Sequence, residues 1–231
     1  MEAIILAGGF GTRLKQVVKD VPKPMAPIND TPFLEYILDW LNSHKINHVI
    51  IAVGYKKEII IDYFKDSYKN IQIQYSIEDT PLFTGGAIKK ALTKCNDKNI
   101  FIINGDTYFN VDLEKMYKFH LEKNSDFTIA VKQMQKFDRY GTVNTKEDKV
   151  IGFSEKKYHE EGYINGGIYI FKKNLLNEVE KKAFSLEQEY MEKYYNKINM
   201  NAFKSQAYFI DIGIPEDYYR AQSEIQKPRK E

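Results

Sequence analysis

Three times in its first 105 residues this chain runs through an unbroken apolar stretch and stops at glycine: AIILAG (3–8), HVIIAVG (48–54) and NIFIING (99–105). Strands that are apolar on both faces belong to sheets covered on both sides, and that means parallel strands with helices above and below. The intervening segments carry helical spacing. TPFLEYILDWLNSHK (31–45) sets Phe33, Leu34, Ile37, Leu38 and Leu41 on one face, with Thr31 placed to cap it and Pro32 at the first helical position. KKEIIIDYFKDSY, TGGAIKKALTKC and DLEKMYKFHLEK read as further helices, and IQIQYSI (71–77) and FTIAVKQM as further strands. The alternation predicts an α/β, Rossmann-like fold with a central mixed, mostly parallel sheet flanked by helices.

The pattern loosens after about residue 135. GTVNT, KVIGFSE, INGGIYIF and AFKSQAYFIDI read as strands with shorter loops, and only SLEQEYMEKYYN and PEDYYRAQSEIQ read as helices. Strands of the second half are therefore expected to add to the first sheet or lie beside it. With no linker, repeat or low-complexity segment, the 231 residues are read as one domain spanning 1–231.

Charge excludes some partners. Thirty-four basic and 32 acidic residues leave a net charge of +2, which argues against bulk binding of nucleic acid or of an anionic membrane surface. The single cysteine, Cys95, has no internal partner, so a reducing compartment and a buried, small apolar role are expected. Met1-Glu2-Ala3 lacks the positive flank of a signal peptide, and no run approaches the ~18 apolar residues of a membrane span. A soluble cytoplasmic protein is expected. His44, His48, His120 and His159 form no ligand or triad spacing, and no Gly-x-Ser-x-Gly elbow is present.

Chemistry concentrates where the first strand ends, in LAGGFGTRL (6–14). Ligands of open α/β sheets bind at the carboxyl ends of strands. Gly8, Gly9 and Gly11 allow a ligand close to the main chain, and successive N–H groups there can hold phosphate oxygens. The loop lacks the Gly-Lys-Ser/Thr ending of the phosphate loop. In the dinucleotide fingerprint a small residue would stand where Leu14 is. What remains is a tight strand–helix turn or an anion site. Arg13 inside the loop and Lys23, held between Pro22 and Pro24, favour the anion site. Two aspartates also follow apolar strands, Asp106 in NIFIINGDTYF and Asp211 in QAYFIDIGIPEDY. Each reads equally as a turn former or as a carboxylate for a divalent cation.

LAGGFGTRL followed by PKPM resembles the signature of the sugar-1-phosphate nucleotidyltransferases, whose fold is GT-A-like. The resemblance runs from Leu6 to about Tyr219. It departs at residues 15–18, where such loops usually carry a proline. It implies that residues 1–135 form a nucleotide-binding half, with Leu6, Ala7, Gly8, Gly9, Gly11, Thr12, Arg13 and Lys23 around the triphosphate. Arg13 would neutralise the departing pyrophosphate and Lys23 would bridge phosphates near the reacting centre. Asp106 and Asp211 would share a Mg2+ ion.

SIEDTPLFTGGAIKKA is similar to the family's base-recognition segment, with Phe83 in place of a glycine and Gly85 in place of an alanine. This adds Glu78, Thr84 and Gly85 to the nucleotide site. Guanine offers two adjacent donors, N1–H and N2–H2, that one carboxylate accepts together, so Glu78 favours guanine. Residues 136–220 would be the sugar-phosphate half. FSEKKY resembles a Glu-Lys-Pro segment, with Lys157 replacing the proline. Lys156 would hold the sugar phosphate and Glu155 the sugar hydroxyls. GYINGG and YGTV would add Asn165, Gly166 and Gly141.

Among such enzymes the chain looks most like the bacterial D-glycero-D-manno-heptose 1-phosphate guanylyltransferases. That implies GTP and heptose 1-phosphate as substrates, GDP-heptose and pyrophosphate as products, and a role in capsule or other surface-glycan synthesis. Mannose-1-phosphate guanylyltransferases are near neighbours. A uridylyl- or cytidylyltransferase and a non-catalytic nucleotide-sugar sensor are the alternatives. No residues remain for an added acyltransferase domain, so a single activity is expected, and a homo-oligomer is compatible with the sequence.

Overall fold

The computed structural model describes residues 1–9, 11, 14 and 17–225. The first half comprises strands β1 (Glu2–Leu6), β2 (Pro27–Ile28), β3 (Thr31–Pro32), β4 (His48–Val53), β5 (Ser67–Tyr68), β6 (Ile71–Ile77), β7 (Asn99–Asn104) and β8 (Thr107–Phe109). Helices α1 (Phe33–Ser43), α2 (Lys57–Phe64), α3 (Phe83–Leu92) and α4 (Leu113–Glu122) connect them. The second half comprises β9 (Phe127–Phe137), β10 (Thr142–Lys146), β11 (Lys149–Ser154), β12 (His159–Lys172), β13 (Met200–Ser205) and β14 (Phe209–Asp211). A π-helical stretch, Leu186–Met191, runs into α5 (Glu192–Tyr194), and α6 (Pro215–Glu224) follows β14.

Ten of these strands form one mixed sheet in the order β10-β11-β13-β9-β12-β7-β1-β4-β6-β5. The three apolar runs sit together at its centre: β1 pairs in parallel with β4 and with β7, Ile4 lying opposite Ile50 and Ile102. β6 extends the parallel block beyond β4. The second half joins through β12, which runs antiparallel to β7 and to β9. Apart from β14, its strands therefore continue the first sheet rather than form another.

The doubly apolar runs are explained by what covers them. Ile5, Val49, Ile51, Phe101 and Ile103 face a core shared with α1, α4 and α6. Ile4, Ile50, Ile100 and Ile102 face the opposite core, with Ile88 and Ala91 of α3, Phe184 and Tyr190. Cys95 belongs to this second core, and burial pushes its thiol up to about 12, as befits an inert apolar side chain. Among the described residues no helix is long and apolar enough to cross a membrane.

Three local expectations are corrected. Thr31 does not cap α1: Thr31 and Pro32 pair with Pro27 and Ile28, Pro32 is the N-cap, and the Phe33 N–H donates to the Ala26 carbonyl at 3.0 Å. A backbone carbonyl does there what the hydroxyl was expected to do. The second helix stops at Phe64, because Lys65 takes φ +52° and turns the chain into β5. AFKSQAYFIDI is two strands rather than one. It breaks at Gln206–Tyr208, where the Lys132 ammonium draws on the carbonyls of Gln206 (2.7 Å) and Ala207 (3.0 Å). β13 stays in the main sheet, parallel to β9, while β14 leaves it to pair with β8.

Candidate active site

A cavity of about 690 Å3 opens beyond the carboxyl ends of β1, β4, β6 and β7, the edge at which open α/β sheets bind ligands. Of the residues singled out in the sequence, Leu6, Ala7, Gly8, Gly9, Gly11, Lys23, Glu78, Thr84 and Asp106 line it. Thr12 and Arg13 lie outside the described residues.

The glycines of the loop are bare for different reasons. A Cβ on Gly8 would stand 2.8 Å from Glu78 Oε1, so the carboxylate can lie against the loop only because that atom is missing. Gly11 has φ +57°, the left-handed region, and a Cβ there would also crowd the Lys23 side chain at 3.0 Å. Gly9 is exposed, with nothing within 4 Å of its Cβ position.

Glu78 comes directly after β6. Its Oε2 accepts the Leu82 N–H at 3.0 Å, which fixes the turn into α3. Burial pushes the carboxyl up, against the lowering effects of the Leu82 N–H and the charge of Lys90.

Lys23 begins a short 3-10 turn, Lys23–Met25, after the extended Pro22; Pro24 and Met25 are buried and anchor it. Its ammonium lies 2.6 Å from Asp106 Oδ2 and 3.5 Å from Asp211 Oδ1, with the side chain only 10% exposed. The two aspartates meet because β14 pairs with β8. Asp211 stands opposite Thr107, and the Ile212 N–H donates to the Asp106 carbonyl at 3.0 Å. Asp211 Oδ1 also accepts the Gly213 N–H at 2.7 Å. Burial would raise the Asp106 carboxyl. The charge and hydrogen bond of Lys23, with the Thr107 hydroxyl at 3.2 Å, hold it below the usual carboxylate range. One ammonium thus lies between two carboxylates.

The sugar-side residues are placed less uniformly. Asn165 sits at an irregularity where the β12–β9 register shifts, and Gly167 beside it has φ +72°. Asn165 Oδ1 accepts the Gly167 N–H (2.9 Å), and its Nδ2 donates to the Tyr169 hydroxyl (2.8 Å). Gly166 is buried, its missing Cβ accommodating the Phe109 ring at 2.5 Å. Gly141 allows a close approach to the Ser154 carbonyl, 2.7 Å from its Cβ position. Glu155 and Lys156 are exposed in the segment between β11 and β12 and do not line the cavity. Gly85 packs against Phe184, whose ring would meet a Cβ at 2.2 Å and whose carbonyl accepts the Gly85 N–H at 2.9 Å. It is a packing position between α3 and the 184–194 segment.

Several cavity residues carried no sequence signal, and Glu187 is one of them. Glu187, from the π-helical stretch, accepts the Thr84 hydroxyl at 2.7 Å and the Ser185 hydroxyl at 3.1 Å on Oε2. Its Oε1 lies 3.5 Å from the hydroxyl of Tyr169, which burial and the Glu187 charge push well up, keeping it a neutral donor. Thr84, Glu187, Tyr169 and Asn165 thus form one hydrogen-bonded chain from α3 to β12. Only the π-helical stretch, which often marks functional segments, could have pointed to Glu187, and one sequence read for 3.6-residue spacing does not display it.

A glycine loop at a strand end and a buried lysine between two convergent carboxylates, facing one cavity, define an enzyme that handles phosphorylated nucleotides. The sequence matches the nucleotidyl transferase family over residues 2–228, and the chain belongs to that family. It is 53% identical to the D-glycero-alpha-D-manno-heptose 1-phosphate guanylyltransferase of Aneurinibacillus thermoaerophilus, covering 98% of this chain and 99% of that one. It is 51% identical to the protein of the same name from Campylobacter jejuni, over 95% and 97%. The crystal structure of HddC from Yersinia pseudotuberculosis superposes with a TM-score of 0.88 at 38% identity, covering 96% of this chain and 98% of that one. HddC has also been crystallised in complex with GMP-PN.

Proposed function

We propose that this protein is a guanylyltransferase that joins GTP and D-glycero-α-D-manno-heptose 1-phosphate into GDP-heptose, with release of pyrophosphate. The observation that carries this reading is identity above one half, over nearly full length, to two enzymes of that name. The guanine nucleotide in the HddC complex supports the choice of base. So does Glu78, a carboxylate in the cavity wall able to accept N1–H and N2–H2 of guanine together. A reducing, cytoplasmic setting is consistent with the lone buried thiol of Cys95.

In this reaction an oxygen of the sugar phosphate attacks the α-phosphorus of GTP. A new P–O bond forms, the bond from the α-phosphorus to the bridging oxygen breaks, and pyrophosphate leaves with that electron pair. The attacking group is already an anion, so no base is needed to strip a proton. The demands are alignment and charge neutralisation. The backbone of Gly8–Gly11 would hold the triphosphate, with Arg13 on the departing pyrophosphate and Lys23 bridging phosphates at the reacting centre. Asn165 and Glu187 would accept and orient sugar hydroxyls. Lys156, on its exposed loop, would reach the sugar phosphate from solvent.

Asp106 and Asp211 suit a divalent cation. Both reach the same ammonium, so their carboxylates converge, and two carboxylates with substrate phosphates and water make the oxygen set Mg2+ takes. When bound, Mg2+ would neutralise phosphate oxygens and polarise the α-phosphorus. The test is pyrophosphate release over a grid of nucleoside triphosphates and sugar 1-phosphates. GTP with heptose 1-phosphate should exceed every other pair in kcat/KM by about tenfold or more. Faster turnover with UTP or dTTP than with GTP would overturn the base, and faster turnover with mannose 1-phosphate would overturn the sugar.

A further inference from the structure

The loop joining β9 to β10, residues 138–141, is tied down in ways the proposed reaction does not use. Arg139 Nη2 donates to Asp217 Oδ2 at 2.6 Å, joining residues 78 apart in sequence. Asp217 is 4% exposed and lies in the first turn of α6, directly after the segment carrying Asp211. Its other oxygen accepts Arg220 Nη1 at 2.8 Å, from one turn along the same helix, so the carboxylate is held from behind while it holds Arg139 in front. Tyr140 sets its ring edge-on against Phe209, with centroids 6.1 Å apart, two residues before Asp211. Burial and then the charge of Asp211 push the Tyr140 hydroxyl up to about 12, which puts that aspartate within electrostatic reach of the loop. Gly141 completes the clamp, lying close against the Ser154 carbonyl at the end of β11.

We infer that the Arg139–Asp217 ion pair is a positioning device: it seats the 138–141 loop on the strand that carries Asp211, and so sets how well the site holds the sugar phosphate. The inference rests on the reading of residues 136–220 as the sugar-phosphate side. Arg139 is 44% exposed while Asp217 is buried, so the pair ties the rim of the fold to its interior. Asp217 is also held by Arg220, so loss of Arg139 leaves its carboxylate partnered and limits what the Arg139–Asp217 pair adds to global stability. Its geometric consequence is larger, since it is a long-range link between this loop and α6. Arg139 also keeps most of its donors, because only Nη2 is committed to Asp217.

The test compares Arg139→Ala, Arg139→Lys, Asp217→Asn and the double variant R139A/D217N by pyrophosphate release, with urea midpoints measured alongside. R139A should raise KM for the sugar 1-phosphate about tenfold or more while KM for GTP stays within about twofold. R139K, which keeps the charge but not the fork, should recover part of the loss. The double variant should be no worse than the worse single one, as expected when both changes break the same link. Equal rises in both KM values, an unchanged KM for the sugar phosphate in R139A, or additive effects in the double variant would each overturn the inference. The assay uses whichever sugar 1-phosphate the wild type turns over. A wrong substrate assignment then shows in the wild type, and a wrong role for the loop shows only in the variants.

Discussion

At the scale of single residues, the site is organised by charges that would be costly apart. Lys23 is nearly buried and Asp106 lies 2.6 Å away, so each removes much of the other's desolvation cost. Asp211 closes the cluster from a strand that arrives about a hundred residues later. Replacing Asp106 by Asn keeps the shape and removes the charge. Asp106→Asn should therefore lower the rate of pyrophosphate release by more than about a hundredfold while the far-ultraviolet circular dichroism stays that of the wild type. Near-normal turnover would remove Asp106 from the reacting centre. Asp106 was legible in the sequence as a strand-end carboxylate, and Lys23 as a cation between prolines. Glu187 was not, because nothing in LEQEYM distinguishes an inward glutamate from a solvated one.

At the scale of elements, glycine and histidine positions show how packing rather than chemistry sets some residues. Gly85 reads in the sequence as a place where a base approaches the backbone, yet Phe184 fills the space a Cβ would need. Gly85→Ala should push α3 away from the 184–194 segment and cost about 1–3 kcal/mol, visible as a lower urea midpoint with an unchanged slope. A variant as stable as the wild type would show that Phe184 can swing aside freely.

His120 of α4 is 1% exposed; its Nδ1 pairs with the Thr128 hydroxyl at 2.8 Å and its Nε2 faces Asn99 Oδ1 at 3.4 Å. Burial, then the charge of Lys172, lowers its pKa from the usual 6.5 to about 4. The folded state thus holds the ring neutral where the unfolded chain would bind a proton. This contribution is complete above pH 6.5 and is lost as the pH falls from 6.5 towards 4, by up to about 3 kcal/mol. Urea unfolding at pH 7 and pH 4.5 should show a smaller loss for His120→Gln than for the wild type; equal losses would mean the ring is protonated in the native state.

At the scale of the whole molecule, the cavity is assembled from both halves of the chain. The ends of β1, β4, β6 and β7 supply the glycine loop, Gly54, Glu78 and Asp106, while the second half supplies Ser185, Glu187 and Gly213. A nucleotide that bridges these parts binds only the folded chain. GTP at about a hundred times its Kd should add about 2.7 kcal/mol to stability, seen as a raised thermal midpoint that equimolar UTP does not reproduce. Equal shifts with both nucleotides would separate triphosphate binding from base selection.

The sequence by itself determined the parallel centre of the fold, because only strands buried on both faces read as AIILAG, HVIIAVG and NIFIING. It singled out the glycine loop, Lys23 and the strand-end carboxylates Asp106 and Asp211 as candidates. Tertiary structure alone decided that β14 leaves the main sheet for β8, and that departure is what brings Asp211 to Asp106. It also decided that Gly85 faces Phe184 and that Glu187 faces the cavity. These outcomes depend on contacts between residues far apart in the chain, and local spacing carries no record of which distant side chain will occupy a given space.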